Sequence, residues 1–259
     1  MQIVPYSPDL AARIAGLFPA DPPIPTRLWA NLDGTIHGRI LVDEPANPTA
    51  ALIQDLAEGP TYLGGALSPD ILRDGLAILR AYQEVVVCLW PGDPVLAMLP
   101  GENCYTGAAV DFWDRSPAVD LDRLAVLPEG YTMRRIDGDL AHRVEGFAQY
   151  YGSMYGSVER AVEGIIGHCL MHGDAIVSDA EAGPLTRGVA EMGIGTEEAY
   201  RRQGFATIAA AHVIRECEAQ GYRAFWNAAQ QNTGSVSLAR RLGFRKEQPC
   251  RVLAWAAVQ

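Results

Sequence analysis

The residues best equipped for chemistry sit in one run, EMGIGTEEAYRRQGFA, at 191–206. Glu191 to Thr196 reads as a short strand, with alternate residues on opposite sides. A polar turn follows, then the basic pair Arg201-Arg202, then Gly204 and Ala206 at the mouth of a helix. Phe205, Ala209, Val213 and Cys217 recur every fourth residue and Gly221 follows as a stop, so the helix is expected to run to about Gln220. A strand feeding a glycine-opened helix presents unpaired backbone N–H groups and the positive end of the helix dipole. That combination suits an anion, above all a pyrophosphate. Gly204 lets the backbone approach such a ligand closely, and Ala206 keeps the next turn narrow. Glu191 is the acid of interest: a carboxylate on a strand beside a cleft can serve as a general base, its alternative being an ion pair with an arginine at a sheet face.

The spacing Arg201-x-x-Gly204-x-Ala206 resembles the acyl-CoA signature of the GNAT acetyltransferase superfamily, Gln/Arg-x-x-Gly-x-Gly/Ala. Ile194 and Thr196 stand where that family's splayed strand offers backbone groups to pantetheine, and Glu191 stands where some members carry the general base. Downstream, Asn232-x-x-Ser235 and Leu242-Gly243-Phe244 resemble the family's second motif, a loop and helix beside the coenzyme arm. The resemblance covers residues 131–259 well. The whole chain, including GRILVDEPANPTAAL near the front, is similar to a bacterial GNAT branch with an extra N-terminal half.

This resemblance implies an α/β fold, acetyl-CoA as cosubstrate, and transfer of acetyl to a primary amine of a small molecule by direct attack, without a metal. Glu191 would be the base. Ile194, Gly195 and Thr196 would meet the pantetheine and polarise the thioester carbonyl through backbone amides. Arg201, Arg202, Gln203, Gly204, Phe205, Ala206 and Thr207 would surround the pyrophosphate, with Asn232 and Ser235 beside the arm. Asn232 also reads as a helix cap, and the two roles are compatible. One departure stands out: where many members carry a tyrosine as acid for the departing thiolate, this chain has Ala239. Ser237, Tyr150, Tyr151 and Tyr155 are the alternative donors, or the thiolate leaves with electrostatic help alone. A catalytically weak acyl-CoA-binding module and an acetyltransferase acting on a protein amine are the rival readings.

The elements that must position these residues follow from pattern. Two helices are expected at 139–151 and 157–164, joined by QYYGSMYG, an aromatic loop able to close over substrate through Tyr150, Tyr151 and Tyr155. IIGHCLMH (165–172) and AIVSDAEA (175–182) read as a hairpin across His-Gly-Asp. Earlier, ADPPIPT breaks a first helix at 7–18; strands follow at 34–43, 49–56 and 61–67, then a helix from Ser68-Pro69 and a strand at 84–90. Pro69 to Trp90 and Phe205 to Trp226 span the same 21 residues, which suggests a degenerate first copy of the fold. The expected division is 1–125, a degenerate GNAT-like domain that shapes the acceptor pocket or a dimer contact, and 126–259, the acetyltransferase domain, with the link near 116–130. The first copy lacks Arg-x-x-Gly-x-Ala, and Pro69 removes an amide a phosphate cradle would use.

Composition narrows the classes. With 49% apolar residues the chain can bury a core, and a net charge of -10 lacks the basic footprint of a nucleic-acid binder. The acidic balance is compatible with a cationic amine substrate. Five cysteines without CxxC spacing suggest free thiols in a reducing cytoplasm. The sequence has no signal-peptide pattern and no apolar run of membrane-spanning length, so a cytoplasmic protein is expected, with no membrane partner. His168 and His172 flank Cys169 at a helical zinc spacing, but the surrounding residues favour a strand, so no metal is expected.

Overall fold

The computed structural model describes residues 1–19 and 25–258. They fall into two compact units, Met1–Ala109 with Pro249–Gln259, and Val110–Gln248. Of ADPPIPT, the first five residues lie outside the described residues.

In the first unit β1 (Gln2–Val4), β2 (Gly38–Val42), β3 (Ala50–Asp55) and β4 (Thr61–Gly65) form an antiparallel sheet in chain order. Helices α1 (Pro8–Ala15) and α2 (Thr26–Leu32) lie between β1 and β2 in the chain; neither β1 nor α2 was foreseen from the sequence pattern. Every residue of β3 is buried, as a strand covered on both faces must be. Leu10, Ile14, Leu28 and Trp29 pack with Ile40, Ala51 and Ile53. Leu72, Leu76 and Leu79 of α3 (Pro69–Arg80) pack with Leu41, Leu52 and with Val85 and Val87 of β5 (Val85–Leu89). Strand β4, helix α3 and strand β5 make the expected strand–helix–strand unit, and a parallel bridge joins Pro60 to Val86. Residues 251–255 pair antiparallel with β5.

Ser68 starts α3: its Oγ accepts a hydrogen bond from the Ile71 amide at 3.2 Å, with Pro69 in the first helical position. Replacing a capping serine by alanine strands a helix-end donor. Ser68→Ala is therefore expected to cost about 1 kcal/mol, read as a lower midpoint at unchanged slope in urea unfolding.

β6 (Tyr105–Arg115) leads into the second unit, which holds α4 (Leu121–Leu124), β7 (Tyr131–Arg135), α5 (Gly138–Arg143), α6 (Phe147–Tyr155) and α7 (Val158–Gly164). There follow β8 (Ile166–His172), β9 (Ala175–Thr186), β10 (Val189–Thr196), α8 (Phe205–Ala219), β11 (Arg223–Ala229), α9 (Thr233–Arg241) and β12 (Phe244–Trp255), whose residues from Pro249 on belong to the first unit. Strand order in this unit is β7-β8-β9-β10-β11-β6-β12. Pairing is antiparallel from β7 to β10 and parallel between β10 and β11, so the sheet is mixed. The α/β class expected from the sequence is the one observed.

Helix α8 covers one face. Ala209, Ala210, Ala211, Val213 and Ile214 share a core with Ile166, Ala180, Ala182, Ala190, Met192 and Trp226. β9 continues through Gly183-Pro184 to Thr186, further than the expected 182, and turns into β10 through Arg187 (φ 47) and Gly188 (φ 73). Two consecutive positive φ angles define a tight hairpin turn that matches the strand twist, and this turn fixes the register Val189↔Thr186.

The expected aromatic loop is not a loop. QYYGSMYG forms most of α6, so Tyr150, Tyr151 and Tyr155 stand on a helix. Phe147, Tyr151 and Tyr155 recur every fourth residue and are buried. Left-handed glycines close both ends, Gly146 (φ 74) and Gly156 (φ 83). The expected single helix at 139–151 is therefore two, α5 and α6.

Among the described residues no helix is long and apolar enough to cross a membrane.

Candidate active site

β10 and β11 hold register over Val189↔Arg223, Ala190↔Ala224 and Glu191↔Phe225. Beyond Glu191 the pairing stops, while β10 continues to Thr196. Among the described residues this leaves one edge of residues 193–196 open in the middle of a sheet, where backbone groups normally find partners. On the other edge β10 stays paired with β9, Gly193 opposite Glu181 and Gly195 opposite Asp179. Ser178 Oγ donates to the Gly195 carbonyl at 2.5 Å and lies 2.9 Å from Thr196 Oγ1, bracing the strand end.

The chain then passes through a short 3-10 turn, Glu198–Tyr200, to Arg201, whose Nε donates to the Thr196 carbonyl at 3.1 Å. Gln203 donates to the Ala199 carbonyl. Both side chains tie the turn together, and Arg201, Arg202 and Gln203 are exposed. Gly204 begins α8 at φ 90, a conformation open to glycine at little cost. No described side chain caps this end, and a Cβ on Gly204 would meet no described atom within 4 Å. The N–H groups of Phe205 and Ala206 have no acceptor within the helix. Thr207 and Ile208 already donate to the Gly204 carbonyl. Phe205 and Thr207 are buried, so Phe205 contributes its backbone here while its ring packs with Leu170 and Val177.

Asn232 caps α9, its Oδ1 accepting from the Ser235 amide at 3.1 Å. Ser235 Oγ accepts from Trp226 Nε1 at 2.9 Å, which anchors this loop to the core. Ala239 is wholly buried in that core. Ser237 is exposed on the same helix.

Glu191 is half-buried. Ala190 and Met192 both point into the core with α8, so alternation turns Glu191 to the opposite face, the one shared with Gly193 and Gly195. That face carries two acids that reading the sequence missed. A Cβ built on Gly195 would lie 2.5 Å from Asp179 Oδ2, and one on Gly193 would lie 3.1 Å from Glu181 Oε2 and 3.0 Å from Tyr151 Oη. Both carboxylates thus lean over β10, and a side chain at Gly195 would require Asp179 to move. Asp179 and Glu181 hydrogen-bond each other. Glu181 is 4% exposed, and its Oε1 has no hydrogen-bond partner among the described residues.

Burial pushes the Glu181 carboxyl well above the usual range, the Asp179 charge adding to it. Burial likewise raises Asp179 to about 6, against the bond from Glu181 and with a further push from Glu197. Raised carboxyl pKa values mean the folded state binds protons the unfolded chain has released. The pair consequently costs stability as pH rises from the ordinary carboxylate range through about 6.

The tyrosines separate in role. Tyr155 Oη donates to the Gly164 carbonyl at 2.9 Å, and burial holds its pKa well above the usual value. Tyr151 stands over Gly193, with Tyr150 edge-on to it. His168 bonds Glu216 at 2.5 Å and His172 stacks on Tyr131. Among the described residues no group of three or more His, Cys, Asp or Glu side chains is placed to hold a metal. A cavity of about 730 Å³ lies along the C-terminal half of α8, lined by Arg115, His168, His212 and Glu216 among others. None of the residues expected to bind coenzyme lines it.

A mixed sheet that opens after one parallel pair, beside an uncapped glycine-led helix, is the architecture of an acyl-CoA-dependent transferase. The chain belongs to the GNAT acetyltransferase family, whose model matches residues 24–253. It is 28% identical over 235 residues to the uncharacterized N-acetyltransferase YdfB of Bacillus subtilis strain 168, covering 85% of this chain and 87% of that protein. In fold it resembles a GCN5-related N-acetyltransferase-like protein from Streptococcus suis, with a TM-score of 0.72 at 24% identity over 95% of this chain and 98% of that one. It also resembles a tandem GNAT protein from the clavulanic acid biosynthesis pathway, with a TM-score of 0.67 at 14% identity over 100% of this chain and 99% of that one. The family implies an acyl-CoA cosubstrate.

Proposed function

We propose that this chain moves an acetyl group from acetyl-CoA to a primary amine of a small molecule by direct attack. The observation that carries this reading is the open edge at 193–196, set beside the uncapped start of α8 at Gly204. Acetyl-CoA supplies the activated acetyl group, whose carbonyl carbon bonds the amine nitrogen as the carbon–sulfur bond breaks. Amides of Gly204, Phe205 and Ala206 would hold the pyrophosphate, assisted by Arg201 and Arg202. Backbone groups of Ile194, Gly195 and Thr196 would hold the pantetheine and polarise the carbonyl. Asn232 keeps its amide N–H groups for the arm while its oxygen caps α9. Glu191 would take the proton from the attacking amine. The buried Ala239 supplies no acid, so the thiolate would leave without a proton from that position.

Gly204→Val tests the coenzyme seat. The free protein has room for the side chain, so the change acts through the backbone: a β-branched residue resists φ 90 and lets the free helix start relax away from it, and binding must then restore that conformation at a cost of about 1–2 kcal/mol. Calorimetry with acetyl-CoA is expected to show Kd raised about five- to thirtyfold. An unchanged Kd would remove the pyrophosphate from this corner and the reading with it.

A further inference from the structure

Two carboxylates on adjacent same-face positions of a buried strand are costly unless something positive repays the burial. Asp179 and Glu181 are such a pair, and they satisfy each other only in part: Glu181 Oε1 is buried without a hydrogen-bond partner among the described residues. No side chain of β10 separates the pair from the open edge, because the positions facing it are Gly193 and Gly195. The carboxylates thus stand about one strand spacing, ~4.8 Å, from the edge where the acyl carbonyl is proposed to lie.

We propose that the Asp179–Glu181 pair is the seat of the acceptor's ammonium group, which would donate to Asp179 and to the unpartnered Oε1 of Glu181. The proposal rests on the acetyl-transfer reading above and names its acceptor class, a primary amine carrying one positive charge at the attacking nitrogen. An ammonium has three donors and no acceptor, the complement of two carboxyl groups with an oxygen to spare. Tyr151, over Gly193, closes the same face from α6. Glu191 faces the pair's side of the sheet from β10 and takes the proton; the pair recognises the amine.

Several titratable groups surround the pair. Cys169 on β8 lies opposite Asp179, and burial pushes its thiol up to about 12, so it stays neutral. Glu197, beyond the end of β10, adds negative charge. Tyr151 from α6 and Glu191 from β10 share its face, and Arg134 and Arg143 act on Cys169 beside it. A simple amine keeps its proton across pH 5 to 8, so the pH dependence of its binding belongs to the pair. Affinity is expected to hold above about 6 and to fall below it, as Asp179 takes up a proton.

The test uses the full chain with n-butylamine and phenethylamine as probes and the matching alcohols as neutral controls, followed by ligand-observed NMR. Wild type is expected to bind the amines and not the alcohols. Asp179→Asn should weaken amine binding by about tenfold or more and abolish its dependence on pH near 6. Glu181→Gln should weaken it by several fold. Melting temperature separates a merely structural pair, because either isosteric change relieves a buried charge or its proton and should leave stability level or higher. Lower melting temperatures with unchanged amine affinity would overturn the proposal, as would a wild type that binds neither amine. Acetyl-CoA titrations run in parallel keep the two readings apart. Intact coenzyme binding without amine binding sinks only the seat, whereas loss of coenzyme binding in wild type sinks the transfer reading.

Discussion

Glu191→Gln is expected to lower kcat for amine acetylation by about 10²–10⁴-fold, with the affinity for acetyl-CoA unchanged. Glutamine keeps the shape and one acceptor oxygen of the residue but cannot accept a proton at working pH. The substitution falls at the last β10 residue paired with β11 and should leave the register Glu191↔Phe225 intact, since that pairing is made by backbone. Its side chain shares a face with Gly193 and Gly195, next to the open edge. A residue serving only as a structural ion-pair partner would move the melting temperature and leave turnover nearly alone. The deciding measurement is stopped-flow or steady-state thiol release with a panel of small primary amines, alongside calorimetry for the coenzyme. Turnover within threefold of wild type would transfer the base role to another group.

The largest loss of stability is expected at Trp226. Its side chain is 1% exposed, packs edge-to-face on Phe244 at 6.0 Å, and donates through Nε1 to Ser235 Oγ. Truncation to alanine removes the apolar contacts, leaves a cavity, and frees the hydroxyl that anchors the 232–235 loop. Trp226→Ala should cost about 3–5 kcal/mol, read from denaturant unfolding of the full chain. The same change unties the loop beside the proposed coenzyme arm, so acetyl-CoA affinity should fall even below the unfolding temperature. Trp226→Phe, which restores most of the packing but not the hydrogen bond, separates the two effects. If it recovers stability and coenzyme affinity alike, the Nε1–Ser235 bond has no role in shaping the loop.

Much of this was legible in the chain. Strand 189–196 and the helix from Phe205 came through because glycine, alternation and a four-residue recurrence all agree there. QYYGSMYG reads as a loop because it holds one glycine inside and another at its end; in the fold Gly156 and the earlier Gly146 terminate the helix that Phe147, Tyr151 and Tyr155 hold down. Asp179 and Glu181 escaped for a different reason. In AIVSDAEA their period-two spacing on an apolar strand was visible, as was the matching Gly193-x-Gly195. What makes them a pair facing bare backbone is the register Asp179↔Gly195 and Glu181↔Gly193, which the Arg187-Gly188 turn alone does not give: it also needs the one-residue register shift between Ala190 and Met192. A turn of this type with arginine in place of asparagine gives little local signal. Ala239 was visible as a departure, but its inward orientation needed the helix seated on the sheet.

Three successive alanines, 209 to 211, lie wholly buried where α8 meets the sheet. Methyl groups let the helix axis ride low, and its leading turn is the proposed grip on the phosphates. Bulkier residues at those positions would tilt or lift the whole rod, moving its tip away from the opened strand without touching a single ligand-facing group. Drift in the hidden interior would therefore be felt first as slackened hold on the donor, and variants selected for altered acyl size could arise there as readily as at the cleft.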